Sequence, residues 1–299
     1  MTAPIASIVS TATSHEATSH GFSRRALLGG TAALGAVGLL SACGNGGASA
    51  EKIKAAGAGA DLKDLYNVNA QDVNTLKKGG ILRLSAGAIG PNFNPYTQSG
   101  NTSDNGTVIG TMHQAGLWQL DFDGTYKLNP NFATDFTPGK SGDKVQVSIK
   151  LNSKAVFTDG TPVDYKALQS TWNIFKSLDG GYNIVSSGIY GFVESVEQGE
   201  DDFSVTVTFS KPYYPLQSLF AEILHPALEN VELFNNGFVD NPHPEYWAGP
   251  FTLADKGWDS AGKTFSVVPN EKWWGTKPLL DKIVFTQMES SAARAAFKH

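Results

Sequence analysis

Residues 247–274 read WAGPFTLADKGWDSAGKTFSVVPNEKWW, and this stretch predicts a β-hairpin with aromatic residues at both ends. A short strand at 251–253 leads to a turn at 259–262, and a second strand follows at 264–268. The residues at 277–285 form one more extended run. On composition alone the stretch predicts scaffold and assigns no function, so its meaning depends on the segments that precede it.

The bulk composition is that of a chain that folds around a core. With 299 residues, of which 41% are hydrophobic, the chain is long enough for one large or two modest domains. Its formal net charge of -5 lacks the basic footprint that nucleic acid requires, so we expect no nucleic-acid partner. The single cysteine excludes a disulfide within the chain and a cysteine-rich metal site. After residue 43, no run approaches the ~20 apolar residues that span a bilayer.

The N-terminus resembles a bacterial export signal that ends in a lipidation site. Arg24 and Arg25 follow a serine and precede a Leu-Leu pair, which is similar to a twin-arginine signal. The alternative is a chance arginine pair at the start of a helix. A weakly apolar run at 26–40 then leads to Leu-Ser-Ala-Cys, which resembles a lipobox whose cysteine is Cys43. The alternative role of Cys43, a small buried thiol, is disfavoured because glycine, asparagine and alanine surround it.

These signals predict where the mature protein resides. We expect residues 1–42 to be removed as a signal peptide, and Cys43 to carry a lipid that anchors the protein to the membrane. Residues 43–79 have the Gly/Ala-rich composition of a flexible tether. The predicted location is the extracellular face of the cell membrane, or its periplasmic side if an outer envelope is present.

The globular part begins with a strand, a loop and a helix. Residues 81–85 alternate as a strand does, and residues 104–114 favour a helix. Between them, residues 87–96 are so rich in glycine, proline and asparagine that they predict a loop. In α/β proteins a loop at the carboxyl end of a strand is where ligands bind. An ordinary surface loop fits this composition equally well.

The middle of the chain is rich in β-structure. Residues 117–128 predict a hairpin with an Asp-Gly turn, and residues 145–151 predict a strand with one buried face. A second hairpin is predicted from 189–196 and 203–209. We therefore expect a β-rich subdomain here.

A helix start is predicted beside this subdomain. The sequence Phe-Thr-Asp-Gly-Thr-Pro at 157–162 places Thr161 at the cap and Pro162 at the first helical position. Asp164 stands where a capping-box acid belongs. The helix is expected to run to about Leu178, before an Asp-Gly-Gly sequence.

The order of these segments resembles the family 5 extracellular solute-binding proteins, which are the peptide and nickel receptors of ABC importers. The resemblance covers roughly 80–299, with Trp273 and Ala248 in place of a usual tyrosine and threonine. The segments that carry it are weak singly and specific together, and they lie at 157–164, 203–212, 248–251, 270–274 and 277–283. The resemblance implies a helix at 213–224 and a turn role for Asp159.

The resemblance implies an α/β fold, a periplasmic-binding-protein-like clamshell of type II, cluster C. Residues 80–116 and 211–299 would form its large N-terminal lobe, with 117–210 as an inserted β-rich subdomain. Members of this family continue well beyond the length of this chain. The second lobe is therefore expected to be missing, the chain being truncated after its N-terminal half. The alternative is a shorter natural protein that closes differently.

The resemblance also implies a function, the capture of an oligopeptide-like ligand for an ABC permease and its ATPase. We expect a monomer with no cofactor and no metal. The residues predicted to face the ligand cleft are Asn92, Phe93, Asn94, Tyr96 and Trp247. Core packing is the alternative role for each. The alternative function is an envelope lipoprotein of the same fold that regulates cell-wall or glycolipid assembly without import.

An enzyme is disfavoured by the motifs. The chain contains no G-x-S-x-G elbow and no H-E-x-x-H sequence. His113, His225 and His243 are far apart and lack the spacing of metal ligands. We therefore predict a binding protein with no catalytic residues.

Overall fold

The computed structural model describes residues 71–121, 124–289 and 291–293. Within these ranges, no helix combines the length and the apolar character that crossing a bilayer requires. The expectations that lie outside the described residues concern the signal peptide at 1–42, Arg24, Arg25, Cys43 and the tether up to residue 70.

Ten strands and two α-helices form the described part of the chain. The strands are β1 Ile81–Ala86, β2 Trp118–Leu120, β3 Tyr126–Leu128, β4 Ala133–Ser141, β5 Lys144–Leu151, β6 Val193–Gln198, β7 Ser204–Phe209, β8 Phe251–Asp259, β9 Thr264–Pro269 and β10 Lys282–Gln287. The helices are α1 Ser103–Gly110 and α2 Tyr165–Phe175.

The first sheet has the strand order β1-β10-β9-β8. The predicted hairpin is confirmed as β8 and β9, which pair antiparallel, and the third extended run contributes β10. β1 pairs with β10 in parallel, although about 200 residues separate the two strands. Just before the two strands, Gly80 N donates to Asp281 Oδ2. Phe265 and Phe285 face each other across β9 and β10 and are both buried. Strands β8 to β10 thus join the sheet that β1 begins.

The second sheet has the antiparallel order β4-β5-β7-β6. Its buried face follows the predicted alternation, with Val147 and Ile149 on β5 opposite Val207 and Val205 on β7. The predicted hairpin at 117–128 is confirmed as the separate pair β2 and β3. Helix α2 packs beside β6, where Gln169 Nε2 donates to the Val196 carbonyl at 3.1 Å.

The start of α2 differs from the prediction. Its cap is Asp164, whose Oδ1 accepts from the backbone N–H groups of Lys166 at 2.9 Å and Ala167 at 3.4 Å. Thr161 instead donates its hydroxyl to Asp159, and the backbone N–H of Thr161 also donates there. The Thr161 prediction was wrong because Val163 stays extended and donates to the Ala155 carbonyl. The turn role of Asp159 is confirmed.

The helix expected at 213–224 is absent from the described structure. Only Leu216–Ser218 forms a 3-10 helix, and the residues after it form a turn and a bend beside 115–117, with Phe220 at a positive φ of 49°. Leu117 N donates to the Phe220 carbonyl and Ile223 N donates to the Ala115 carbonyl, both at 2.8 Å. The buried residues of this segment come in adjacent pairs, at 219–220 and 223–224, rather than along one stripe of a helix. The segment therefore forms hydrogen bonds with 115–117 in place of helical hydrogen bonds.

The two tryptophans at the end of the opening stretch, Trp273 and Trp274, link the first sheet to the segment that enters β4. The Nε1 of Trp274 donates to the Asn131 carbonyl at 2.8 Å, and its ring meets Phe132 edge to face at 5.2 Å. Trp273 is buried beside the same phenylalanine at 6.0 Å. This stretch is therefore scaffold between the first sheet and the segment that enters β4.

Candidate functional site

The asparagines of the loop at 87–96 are buried and hold the loop in shape. Asn92 Oδ1 accepts from Asn94 N at 3.0 Å, and Asn92 Nδ2 donates to the Ser99 hydroxyl at 2.8 Å. Asn94 Nδ2 donates to the Phe234 carbonyl at 2.8 Å. The polar atoms of both asparagines form hydrogen bonds with other groups of the chain, so neither side chain has the predicted exposure to a cleft. Contact of either residue with a ligand stays a prediction.

Phe93 and Trp247 are buried as well. The Phe93 ring packs against Trp258 and Phe265 at centroid distances of 5.0 Å and 5.5 Å. The Trp247 Nε1 donates to the Pro242 carbonyl at 2.7 Å, and its ring lies 5.0 Å from the ring of His113. Both rings therefore pack in the core, which was the alternative role given to them.

Tyr96 is the one residue of the predicted set whose side chain bonds to a residue that lines a surface hollow, Glu222. Its hydroxyl donates to Glu222 Oε2 at 2.8 Å. The same oxygen lies 3.7 Å from Nε2 of His113. The side chain of Glu222 is 48% exposed, whereas that of His113 is only 2% exposed. These three residues define the candidate site, which we call the Glu222 site.

The contacts of the segment at 219–224 fix the position of Glu222. Besides its pairing with 115–117, the segment receives a bond from Trp118 Nε1 to the Leu219 carbonyl at 3.0 Å. The N–H of Phe220 donates to the Tyr190 hydroxyl at 3.1 Å. With Phe220 and Ile223 buried, Ala221 and Glu222 are left exposed between them.

Gly116 permits the close approach behind Glu222. A Cβ at this position would lie 2.1 Å from the carbonyl oxygen of Ala221, which no side chain can tolerate without a shift of backbone. Glycine is therefore required for the segments 115–117 and 219–224 to lie together. The position of Glu222 depends on this contact because Ala221 directly precedes it.

Two surface hollows adjoin at Glu222 and Ala221. One has a volume of about 230 Å³, and its walls include Phe175, Tyr190, Tyr213, Ser186, Ser187 and Ser218. The other has a volume of about 240 Å³, and its walls include His113, Gln114, Trp118, Gln119 and Asn129. Concave walls that mix aromatic rings with a few polar groups are typical of ligand sites.

The ionisable groups of the site shift in the directions that burial dictates. Burial lowers the pKa of His113 to about 3, so its ring is neutral near pH 7. Its Nδ1 accepts from Ala248 N at 3.4 Å, which leaves the proton on Nε2. That buried nitrogen has no hydrogen-bond partner among the described residues. The site therefore presents an unused N–H donor next to the carboxyl group.

Glu222 is also perturbed. The surrounding protein removes water and raises the pKa of its carboxyl group above the usual value, while the Tyr96 hydrogen bond opposes that rise. Because 48% of the side chain stays open, water still stabilises the ionised form and limits the shift. Burial first, and then the charge of Glu222, raise the pKa of Tyr96, which keeps its hydroxyl protonated.

No group of three or more candidate metal ligands occurs in the described part of the chain. One histidine–carboxylate pair is formed by His225 Nε2 and Asp159 Oδ2, which lie 3.2 Å apart. His225 Nδ1 accepts from Ala227 N at 3.0 Å, so Nε2 carries the proton and donates to Asp159. This pair fastens the turn at 157–162 and leaves no free ligand for a metal.

Sequence reasoning missed Glu222 and His113 as site residues. Glu222 lies in the segment that was expected to be a helix, where an acid would simply face solvent. The available signal was its isolation, because Glu222 is the one charged residue in the apolar run Leu219–Leu224. A charged residue inside an apolar run is a candidate functional group, because charged residues are rarely buried without a partner.

Comparison with protein families gives a match over the second part of the chain. Residues 127–299 match the family described as "Bacterial extracellular solute-binding proteins, family 5 Middle". Among curated proteins, the oligopeptide-binding protein OppA of Mycobacterium tuberculosis and of Mycobacterium bovis is 31% identical over 266 residues. The alignment covers 87% of this chain and 44% of the relative, so the chain spans less than half the length of these relatives.

Solved structures of similar fold include two binding proteins. The periplasmic EDTA-binding protein EppA is 27% identical with a TM-score of 0.66, and the match covers 77% of this chain and 44% of that one. The oligopeptide-binding protein AppA from Bacillus subtilis, solved with a nonapeptide, is 21% identical with a TM-score of 0.62 over 74% and 43% of the two chains. These likenesses confirm the expected α/β fold of the type II periplasmic-binding-protein class.

Proposed function

Because this chain belongs to the family 5 bacterial extracellular solute-binding proteins, we propose that it captures oligopeptide-like ligands for an ABC importer. The observation that carries the proposal is the 31% identity to the mycobacterial oligopeptide-binding proteins across 87% of the chain. The protein would bind its ligand without turning it over and deliver it to a permease driven by an ATPase.

The Glu222 site supplies the ligand-facing wall in this proposal. Its two adjoining hollows offer aromatic faces, serine hydroxyls and side-chain amides, which suit extended peptides with varied side chains. The unused N–H of His113 and the carboxylate of Glu222 provide one donor and one acceptor 3.7 Å apart. Peptide backbones carry both kinds of partner along their length.

Capture would proceed by closure of a second lobe over this wall. Binding proteins of clamshell form enclose the ligand between lobes, and hinge rotation excludes water from it. We propose that 80–116 and 211–299 form the large-lobe segments, since β1 and β8 to β10 share one sheet. Residues 117–210 would be the inserted subdomain, since β4 to β7 share the other.

The proposed location is the outer face of the cell membrane. The twin-arginine signal with Arg24 and Arg25 would export the folded protein, and a lipid on Cys43 would hold it beside the permease. Partition of the wild-type protein and of Cys43→Ser between detergent and aqueous phases tests the anchor. We expect wild type in the detergent phase and the variant in the aqueous phase, and equal partition would exclude lipidation.

Binding and import are tested separately. Protein expressed from the whole reading frame is titrated with a defined tetrapeptide pool by calorimetry, and saturable micromolar or tighter binding is expected. Failure to bind any peptide of the pool would contradict the proposal. Uptake of a radiolabelled tetrapeptide by a deletion strain, with and without the restored gene, then separates import from a regulatory role. Unchanged uptake in the deletion strain would favour regulation of cell-wall or glycolipid assembly.

A further inference from the structure

Glu222 lines both hollows, and no lysine or arginine among the described residues pairs with its carboxyl group. Its Oε2 accepts from the Tyr96 hydroxyl at 2.8 Å, and its Oε1 has no hydrogen-bond partner among the described residues. The ion pairs of the described chain join Glu222 to no lysine and no arginine. A carboxylate that is partly enclosed and uncompensated favours an approaching cation.

His113 does not supply the missing positive charge. Its side chain is 2% exposed, and burial keeps the ring neutral near pH 7. Its Nε2–H lies 3.7 Å from Glu222 Oε2, too far for a hydrogen bond. No positive charge of the described residues therefore compensates the carboxylate, and the buried N–H beside it remains a free donor.

The walls of the hollows suit a cation. Neither hollow is lined by a lysine or an arginine, and Glu222 is the one carboxylate on their described walls. Tyr190 and Tyr213 flank it in one hollow, and Trp118 flanks it in the other. Aromatic faces attract cations, most strongly where water is partly excluded.

We infer that Glu222 is the contact for a positively charged group of the captured peptide, either its terminal amine or a basic side chain. The protein would then prefer cationic over neutral peptides of the same shape. This inference rests on the proposed function, since it names the class of ligand that the same site selects.

The test compares matched peptide pools on protein expressed from the whole reading frame. One tetrapeptide pool contains lysine, and the other contains norleucine, which keeps the side-chain length and removes the charge. Each pool is made with a free and with an acetylated N-terminus. We expect wild type to bind at least one cationic member of these pairs about tenfold more tightly or better, as charged hydrogen bonds allow. The Glu222→Gln variant should lose that preference.

Glu271→Gln is the matched control, because Glu271 is exposed, lines neither hollow and carries the same charge. It should retain the preference, and circular dichroism should show both variants folded. If the preference depends on lysine, the group that Glu222 contacts is the basic side chain. If it depends on the free N-terminus, the contacted group is the terminal amine. Binding that does not distinguish cationic from neutral peptides overturns this inference alone. A preference for cationic peptides that survives Glu222→Gln does the same. No binding of any pool contradicts the proposed function and this inference together.

Discussion

The hydroxyl of Tyr96 donates a hydrogen bond of 2.8 Å to Oε2 of Glu222, 126 positions later in the chain. Tyr96 ends the loop that follows β1, whereas Glu222 lies in the segment 219–224, which hydrogen-bonds to 115–117. The bond therefore joins the loop to the wall where the two hollows meet. It orients one carboxylate oxygen and leaves the other free for a ligand.

Tyr96→Phe removes this bond and keeps the ring. We expect the free energy of unfolding to fall by about 0.5–1.5 kcal/mol, the net contribution of one hydrogen bond. The cation preference should also weaken, because Oε2 loses the donor that orients it. Urea unfolding measures the first effect, and peptide titration measures the second.

Tyr126→Phe is the matched control for that variant. Its ring is 51% exposed on β3, and no stability change beyond a few tenths of a kcal/mol is expected. Equal stability of Tyr96→Phe and wild type would show that the Tyr96 bond does not contribute.

Acid should destabilise the protein through His113. In the unfolded chain this histidine takes up a proton near pH 6.5, whereas burial delays protonation in the folded chain to about pH 3. The stability that the buried neutral His113 contributes is therefore fully present above the pKa of histidine in the unfolded chain. It is lost as the pH falls below that value, at up to about 1.4 kcal/mol per pH unit. Glu222 faces His113 and opposes the loss, because its raised pKa lets the folded state bind a proton first.

His113→Gln should flatten this dependence. Urea unfolding of wild type and variant at about pH 7 and about pH 5 provides the comparison. We expect wild type to lose more stability than the variant between these values. A variant with the same loss as wild type would show that His113 does not cause the acid sensitivity.

Asp164→Ala should weaken α2. The Asp164 carboxylate caps two backbone N–H groups, so its removal is expected to cost about 1 kcal/mol of the free energy of unfolding. Asp179→Ala, at an exposed acid beyond the helix, is the control and should have almost no effect. If Asp179→Ala cost as much as Asp164→Ala, the cap would not be the cause.

Gly116→Ala should disturb the Glu222 site directly. The added Cβ would lie 2.1 Å from the Ala221 carbonyl oxygen, so the segments 115–117 and 219–224 must separate. We expect a stability loss of about 2 kcal/mol or more and a weaker cation preference. Gly106→Ala in α1 is the control, since its Cβ meets nothing and the helix should gain about 0.5–1 kcal/mol. A Gly116→Ala protein as stable as wild type would contradict the close approach.

The fold was predictable where a strand has one buried face. Val147 and Val207 alternate with exposed or half-buried neighbours, so period-2 patterning of the sequence alone locates β5 and β7. The segment at 219–224 cannot be located in this way, because tertiary pairing with 115–117 determines its conformation. Periodicity reports which face is buried, and it does not report a partner strand distant in the sequence.

The site was less predictable than the fold. The loop at 87–96 was correctly predicted to be a loop, yet Phe93 and Asn94 are buried within the chain. Composition identifies a loop, whereas only its long-range contacts decide which side chains reach the surface. Tyr96 is singled out by the sequence, but its pairing with Glu222 depends on two segments that only the tertiary fold brings together.

The most direct test of this account asks whether a ligand occupies the hollows at Glu222. Ala221→Cys, in a Cys43→Ser background, is labelled with an environment-sensitive dye, and Lys140→Cys on β4 is labelled as the control. Ala221 lines both hollows, and Lys140 lines neither. On addition of the lysine tetrapeptide pool to protein from the whole reading frame, we predict a saturable fluorescence change at position 221 and none at position 140. Peptide binding with no change at position 221 would contradict the account.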